Sequence, residues 1–336
     1  MLILLTACGS EQANEPEPVA QPAPVIIPTP APAPTPIPPS SNITVTDPAA
    51  RGVYGVGTTT TVIRIHTSNE GVKIDLQVTI WYPTSKDTGA PADTGKFPLI
   101  IFSHGASSAP NASSFLTEHL ASHGFVVAAA QHPKAEQDKR GEAFSNRPAE
   151  VYAVVDYVIA QASTDGALLE GLIDDDRLGI TGHSFGGLTT IALLGRADNR
   201  FKAGMPMAPG IRPFDEADVS DSITKVTVPI MFMMSGKDTL ALYSNLSAAY
   251  ATIPSSTQKY SLIFPNGTHL SYSNTCSSMC PPANTITQEA GHQLINTIGT
   301  AFFQVYLYER YDYEYYLYPN DDLANGEARV VKGDIP

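Results

Sequence analysis

Apolar and polar positions divide the chain into short runs of two periods. Thr59 to His66 and Val72 to Trp81 alternate apolar with polar side chains around Ser68-Asn69-Glu70-Gly71, which predicts a hairpin of half-buried strands. Phe97 to Phe102 (FPLIIF) and Phe125 to Ala130 are unbroken apolar runs, as in strands covered on both faces. Arg177 to Thr181, Phe201 to Met207, Val228 to Met234 and Tyr260 to Phe264 read the same way. Between these runs the spacing becomes helical. Ser113 to His123 carries Phe115, Leu116 and Leu120 on one side, and Ala149 to Gln161 carries Val151, Val154, Val155 and Val158. Leu188 to Leu194, Leu240 to Ile253 and Thr287 to Tyr308 supply the remaining helices.

Strands that alternate with helices after an opening antiparallel hairpin imply a mostly parallel central sheet with helices on both faces. One α/β domain is expected over residues 44–310, followed by a Tyr-rich extension, 311–336, whose tyrosines are expected to pack on the surface. Ahead of the domain, Glu11 to Ser40 is mostly Pro, Ala, Glu and Thr. Such a stretch forms neither helix nor sheet ladder, so residues 9–43 read as a Pro-rich linker of polyproline type.

Composition removes some function classes. A hydrophobic fraction of 43% is enough for a sizeable core, and a formal charge of -13 leaves no basic patch to neutralise phosphates. No nucleic-acid partner is expected. Residues 1–8, Met1-Leu2-Ile3-Leu4-Leu5-Thr6-Ala7-Cys8, resemble the lipobox of a bacterial lipoprotein signal, although no basic stretch precedes the apolar run. That resemblance implies export and a membrane tether through a lipidated Cys8. Gly9 stands where an aspartate would signal inner-membrane retention, so an outer-membrane or surface anchor is implied. Cys276 and Cys280 then remain as a pair, which an exported protein is expected to oxidise to a disulfide. A metal reading is the weaker one, because C-x-x-x-C lacks a second ligand pair nearby. Neither metal nor cofactor is expected.

Chemistry gathers at four predicted strand ends, where open α/β sheets place their working groups. Gly182-His183-Ser184-Phe185-Gly186-Gly187 reads G-x-S-x-G between a buried strand and an apolar helix, the nucleophile elbow, with Ser184 as the nucleophile. Ser103-His104-Gly105-Ala106 ends the FPLIIF strand; the backbone N–H groups of Ala106 and Phe185 are the expected oxyanion donors. Ser235-Gly236-Lys237-Asp238 follows VPIMFMM and offers Asp238 as the carboxylate that orients a histidine. Asn266-Gly267-Thr268-His269 follows the last strand. Only His269 and His292 come after Asp238, and His292 falls inside the final helix, so His269 is the expected base. The chain order Ser, Asp, His is that of α/β-hydrolases.

The segments FSHGAS, LASHGFVVAAAQHP, RPAEVYAVVDYV, DDRLGITGHSFGG and FKAGMPMAP together resemble platelet-activating-factor acetylhydrolases and their bacterial dienelactone-hydrolase-like relatives, from about Trp81 to His269. SGKDTLA, a helix and then G-T-H is similar to the acid-to-histidine half of bacterial cutinases and polyester hydrolases. Ala106 stands where those enzymes place an aromatic, and His183 where many carry tryptophan. These resemblances imply the α/β-hydrolase fold and calcium-independent hydrolysis of carboxylic esters, often with short acyl chains. The expected function is a serine carboxylesterase acting as a monomer on short-chain or phospholipid-type esters, with a polyester hydrolase as the alternative. A non-catalytic binding protein on the same fold and an acyltransferase using the same triad are the rivals. The polar stretch Gln131 to Arg147 is expected to form a loop bordering the site, and Met205, Met207, Met233 and Met234 to fill core.

Overall fold

The computed structural model describes residues 46–66, 73–92, 95–133, 140–211, 217–318 and 320–335. Cys8, the Pro-rich linker and the expected turn at Ser68-Asn69-Glu70-Gly71 lie outside them. The strand-forming runs become β1 (Gly55–His66), β2 (Lys73–Thr84), β3 (Phe97–Ser103), β4 (Val126–Ala130), β5 (Ile173–His183), β6 (Phe201–Met207), β7 (Ile230–Ser235) and β8 (Lys259–Phe264). The helices are α1 (Ser114–Ser122), α2 (Arg140–Ala162), α3 (Phe185–Leu194), α4 (Ala217–Ile223), α5 (Tyr243–Ala251) and α6 (Gln288–Tyr308).

With β9 (Asn320–Leu323) and β10 (Ala328–Lys332), the strands join in one ten-stranded sheet ordered β1-β2-β4-β3-β5-β6-β7-β8-β10-β9. The ladders between β4 and β8 are parallel, while β1, β2, β9 and β10 pair antiparallel at the edges. Helices cover both faces. A side chain on Gly179 would meet Leu307 and Phe303 of α6, whereas one on Gly204 would meet Leu194 of α3; β5 and β6 pair in register at Gly179↔Ala203, so the two glycines face opposite ways. The unbroken apolar runs are buried throughout, and the four methionines are wholly buried in the core.

Two boundaries differ from the expectation. Helix α2 begins at Arg140 and runs through Pro148, so residues 140–147 of what reads as a polar loop are helix. Its early turns bury Arg147 and Glu150 against the strand ends, and these paired polar groups outweigh the backbone hydrogen bond that Pro148 cannot donate. Because those turns bury charge in place of apolar side chains, hydrophobic periodicity starts only at Val151. The second difference is the extension beyond Arg310. It forms a short turn over Tyr311–Leu317 and then β9 and β10, with β10 covering the free edge of β8. Tyr313 is buried and exchanges two hydrogen bonds with the Thr46 backbone, donating to its carbonyl at 2.9 Å and accepting from its N–H at 3.1 Å, while Tyr315 stays 74% exposed.

The segment that enters the domain is pinned to α1 by buried histidines. His119 Nε2–H donates to the Pro48 carbonyl and His123 Nε2–H to that of Ala50, both at 2.9 Å. Burial first, and the neighbouring His123 second, push the His119 imidazole from its ordinary 6.5 down to about 4. Across that window the unfolded chain binds a proton that the folded chain refuses, so stability is present above pH 6.5 and is lost as pH falls toward 4. The melting temperature is expected to drop steadily over this interval, and the slope to be shallower in His119→Gln, followed by circular dichroism.

Candidate active site

Strand β5 ends at His183 and α3 begins at Phe185, which leaves Ser184 alone in the turn, at φ 56° and ψ -115°. Few L residues adopt that conformation, and here close packing imposes it. A Cβ on Gly186 would lie 1.8 Å from the Ser103 carbonyl oxygen, and one on Gly182 would lie 2.5 Å from that of Gly186. Only glycine lets the end of β3, the end of β5 and the start of α3 approach this closely. The Ser184 N–H donates to the Met207 carbonyl at 2.9 Å, and its own carbonyl accepts from Leu188 and Gly210 at 3.1 and 3.2 Å. The backbone is thus held on three sides while the side chain stays half-buried.

Asp238 follows β7 with its carboxylate fully buried. One oxygen accepts from the Leu240 and Ala241 backbone N–H groups at 2.8 and 2.7 Å; the other accepts from His269 Nδ1 at 2.8 Å. His269 opens a short turn, His269–Tyr272, capped by Thr268, and its Nε2 lies 2.8 Å from Ser184 Oγ. With Nδ1–H committed to the carboxylate, Nε2 is left as an acceptor aimed at the hydroxyl. Three residues predicted at separate strand ends therefore meet in one hydrogen-bonded chain. His292 takes a different part: it donates to the Ser273 carbonyl at 2.9 Å and stacks on Phe115 at 3.6 Å.

His183, noted in the sequence only as the elbow's variable residue, has its own link to this chain. It is buried and donates from Nε2 to the main-chain carbonyl of His269 at 2.8 Å. Burial, then the proximity of His269, push its imidazole down to about 3, so it serves as a neutral strut. Nothing in a one-dimensional pattern marks residues 183 and 269 as neighbours.

Ser184 opens into a pocket of about 280 Å³ lined by Ala106, Leu240, His269, Leu270 and Met279 among others. Gly105 and Ala106 form one wall, and Phe185 begins α3, whose first-turn N–H groups have no carbonyl four residues behind them within the helix. Larger surface grooves, of about 550 and 580 Å³, lie beside α5 and along α6; neither contains any of the three hydrogen-bonded residues. The Cys276–Cys280 disulfide is present, with Cα atoms 4.6 Å apart. It closes a loop whose Met279 lines the pocket and whose Met279 carbonyl accepts from the Thr268 hydroxyl, one residue before His269. Among the described residues of the stretch from Gln131 to Arg147, none lines the pocket; His132 and Arg147 are buried and bond within the protein, Arg147 through Nη1. Asp174, Asp175 and Asp176 converge at the start of β5, the end of that strand remote from Ser184; Asp174 is partly buried and paired with Arg177 at 3.4 Å, and the other two are exposed.

A mostly parallel sheet flanked by helices, with an elbow serine followed in chain order by aspartate and histidine, defines the α/β-hydrolase class. Within it, the PET hydrolase-like family matches residues 32–328, and the chain belongs to that family. Among curated relatives it is similar to Cutinase est1 of Thermobifida alba, 31% identical over 192 residues that cover 57% of each chain. It is 29% identical to the bis(hydroxyethyl) terephthalate hydrolase of Streptomyces coelicolor, over 57% of this chain and 55% of the relative. It is also 29% identical to the platelet-activating factor acetylhydrolase of Cavia porcellus, over 44% and 42%. The chain thus spans about half the length of the curated relatives it matches.

Gly186→Ala tests the close approach. The added methyl meets backbone, which cannot rotate away, so a loss of about 3 kcal/mol or more is expected. Thermal melting should show a drop of several degrees at least, and labelling of Ser184 by a fluorophosphonate should slow.

Proposed function

We propose that the protein is a serine carboxylic-ester hydrolase acting through Ser184, His269 and Asp238. The observation that carries this reading is the unbroken chain from the Asp238 carboxylate through His269 to the Ser184 hydroxyl, 2.8 Å at each step. His269 Nε2 takes the hydroxyl proton as Ser184 Oγ attacks the ester carbonyl, and Asp238 stabilises the imidazolium that results. The tetrahedral oxyanion lies between the backbone N–H groups of Ala106 and Phe185, each such donor contributing several kcal/mol in a site that excludes water. His269 then protonates the departing alcohol, and water activated by the same histidine hydrolyses the acyl-enzyme.

The small pocket suits a short acyl group, with Leu240, Leu270 and Met279 as its apolar wall. Short-chain and phospholipid-type esters are the first substrate reading. A polyester is the second, supported by membership of the PET hydrolase-like family and by Leu240, a pocket residue 46% exposed, which leaves one apolar side of the slot open. The oxidised Cys276–Cys280 pair supports export. Tethering through a lipidated Cys8 and action as a monomer without cofactor or nucleic acid belong to the same proposal. No helix among the described residues is long and apolar enough to cross a membrane.

Hydrolysis of p-nitrophenyl esters of rising chain length is expected to be fastest for acetate and butyrate. It should fall by roughly a thousandfold or more in Ser184→Ala; equal rates for the two proteins would remove the enzyme reading. Assays of a polyester film and of a short-chain phospholipid in parallel decide between the two substrate classes.

A further inference from the structure

Beneath the Ser103–Ala106 loop lies a second cluster of polar side chains that the reaction above does not use. His132 donates from Nδ1 to Glu150 at 2.6 Å and accepts at Nε2 from the Ser103 hydroxyl at 3.1 Å. The His132 backbone N–H donates to His104 Nε2 at 3.0 Å, and His104 Nδ1–H donates to the Gly105 carbonyl at 2.7 Å. Arg147 Nη1 donates to the His104 carbonyl at 2.6 Å and to Ser103 Oγ at 3.2 Å. All five side chains are 3% exposed or less. Ser103, His132 and Glu150 repeat the serine–histidine–carboxylate connectivity, yet Ser103 is wholly buried and no substrate can reach it.

The cluster makes sense as a scaffold for one peptide unit. The N–H proposed as an oxyanion donor, that of Ala106, belongs to the same planar trans peptide as the Gly105 carbonyl. That carbonyl is held by two donors, His104 Nδ1–H and the Ser108 N–H at 3.3 Å. In a trans peptide the N–H points opposite to the C=O, so fixing the carbonyl inward fixes the Ala106 N–H outward. The preceding carbonyl, of His104, is fixed in turn by the guanidinium. The same guanidinium lies over the ring of Phe185, 4.6 Å from its centroid. Phe185 carries the other proposed donor. One buried cation therefore touches both elements from which oxyanion donors come: the loop after β3 and the start of α3.

Burying an arginine is costly, and hydrophobic side chains of equal volume would serve stability as well or better. Here Glu150 offsets the charge, while Nη2 has no hydrogen-bond partner among the described residues. We infer that Arg147 is a positioning residue, which presets the oxyanion-donor peptides of Ala106 and Phe185 through the His104 carbonyl and the Phe185 ring. The inference rests on the serine-esterase reading, and it adds a residue that no triad or elbow motif contains. A lysine at 147 keeps the charge but cannot hold a carbonyl and lie flat over a ring at once.

The test separates catalysis from folding. Arg147→Lys and the double variant Arg147→Met/Glu150→Met are assayed on p-nitrophenyl acetate, with active serines counted by a phosphonate titrant so that unfolded protein does not enter kcat. The double variant removes both charges of the buried pair and is expected to melt within a few degrees of wild type. In both, kcat should fall about tenfold to a hundredfold while KM stays within about threefold, since a misaligned donor is felt mainly in the transition state. Affinity for an alkylboronic acid, which adds to Ser184 and presents a tetrahedral oxygen, should fall by the same factor as kcat/KM. A kcat within twofold of wild type in either folded variant overturns the inference, as does a loss confined to KM; should Arg147→Lys not fold, the double variant alone decides. Failure of wild type to take up the titrant would instead refute the serine reading, and the positioning role with it.

Discussion

The Ser103 carbonyl oxygen occupies the place where any side chain on residue 186 would have to go. That contact joins the end of β3, which leads into the proposed oxyanion loop, to the first turn of α3, which directly follows Ser184, the proposed nucleophile. It acts with the backbone hydrogen bonds of Ser184 to hold that residue at positive φ, and it fixes the separation of the two proposed donor peptides. The rest of the sheet gives this contact its rigidity. The parallel strands β3, β5 and β6 are buried at the ends that meet it and too closely packed there to deform cheaply.

Two serine–histidine–carboxylate chains in one molecule show what turns connectivity into chemistry. In Ser184–His269–Asp238 the serine is half-buried beside a pocket, and among the described residues its histidine accepts at Nε2 from that serine alone. In Ser103–His132–Glu150 the serine hydroxyl also receives a hydrogen bond from Arg147 and sees no solvent. Burial pushes the Glu150 carboxyl up to about 7, against the pull of Arg147, and drives His132 well below its ordinary value, so the buried imidazole stays neutral. Asp238, unlike Glu150, accepts hydrogen bonds from two backbone N–H groups, those of Leu240 and Ala241 in the loop that follows. Environment, not residue identity, separates the reactive set from the structural one.

Much of this was legible in the amino-acid order. The continuous apolar runs marked every parallel strand, because a strand covered on both faces has no polar position to confuse its period. The strand ends then placed Ser184, Asp238 and His269 in one region without any knowledge of distance. What stayed hidden was set by three-dimensional pairing. Helix α2 begins before its periodicity does, since Arg147 and Glu150 are buried by polar partners on β3 and β4 and carry no hydrophobic signal. Strand β10 is short, and its partner β9 reads NDDL, so an edge that closes the sheet looked like a trailing segment. His183 gave no sign of its bond to the main chain of His269, because that contact joins elbow and base across 86 positions.

The loop that follows the base ties substrate contact to catalytic geometry. From Thr268 to Cys280 the chain passes through His269, turns at Tyr272 and returns, and the Thr268 hydroxyl bonds the Met279 carbonyl across the closure. The Cys276–Cys280 disulfide shortens the free chain in exactly that return, so the entropy of ordering it is reduced before any substrate arrives. Met279 is at once a wall of the pocket and the residue whose backbone steadies the position before His269. That wall therefore lies one hydrogen bond and one residue from the imidazole of His269. The Thr268–Met279 hydrogen bond and the disulfide thus tie the wall of the pocket to the residue that precedes the proposed base.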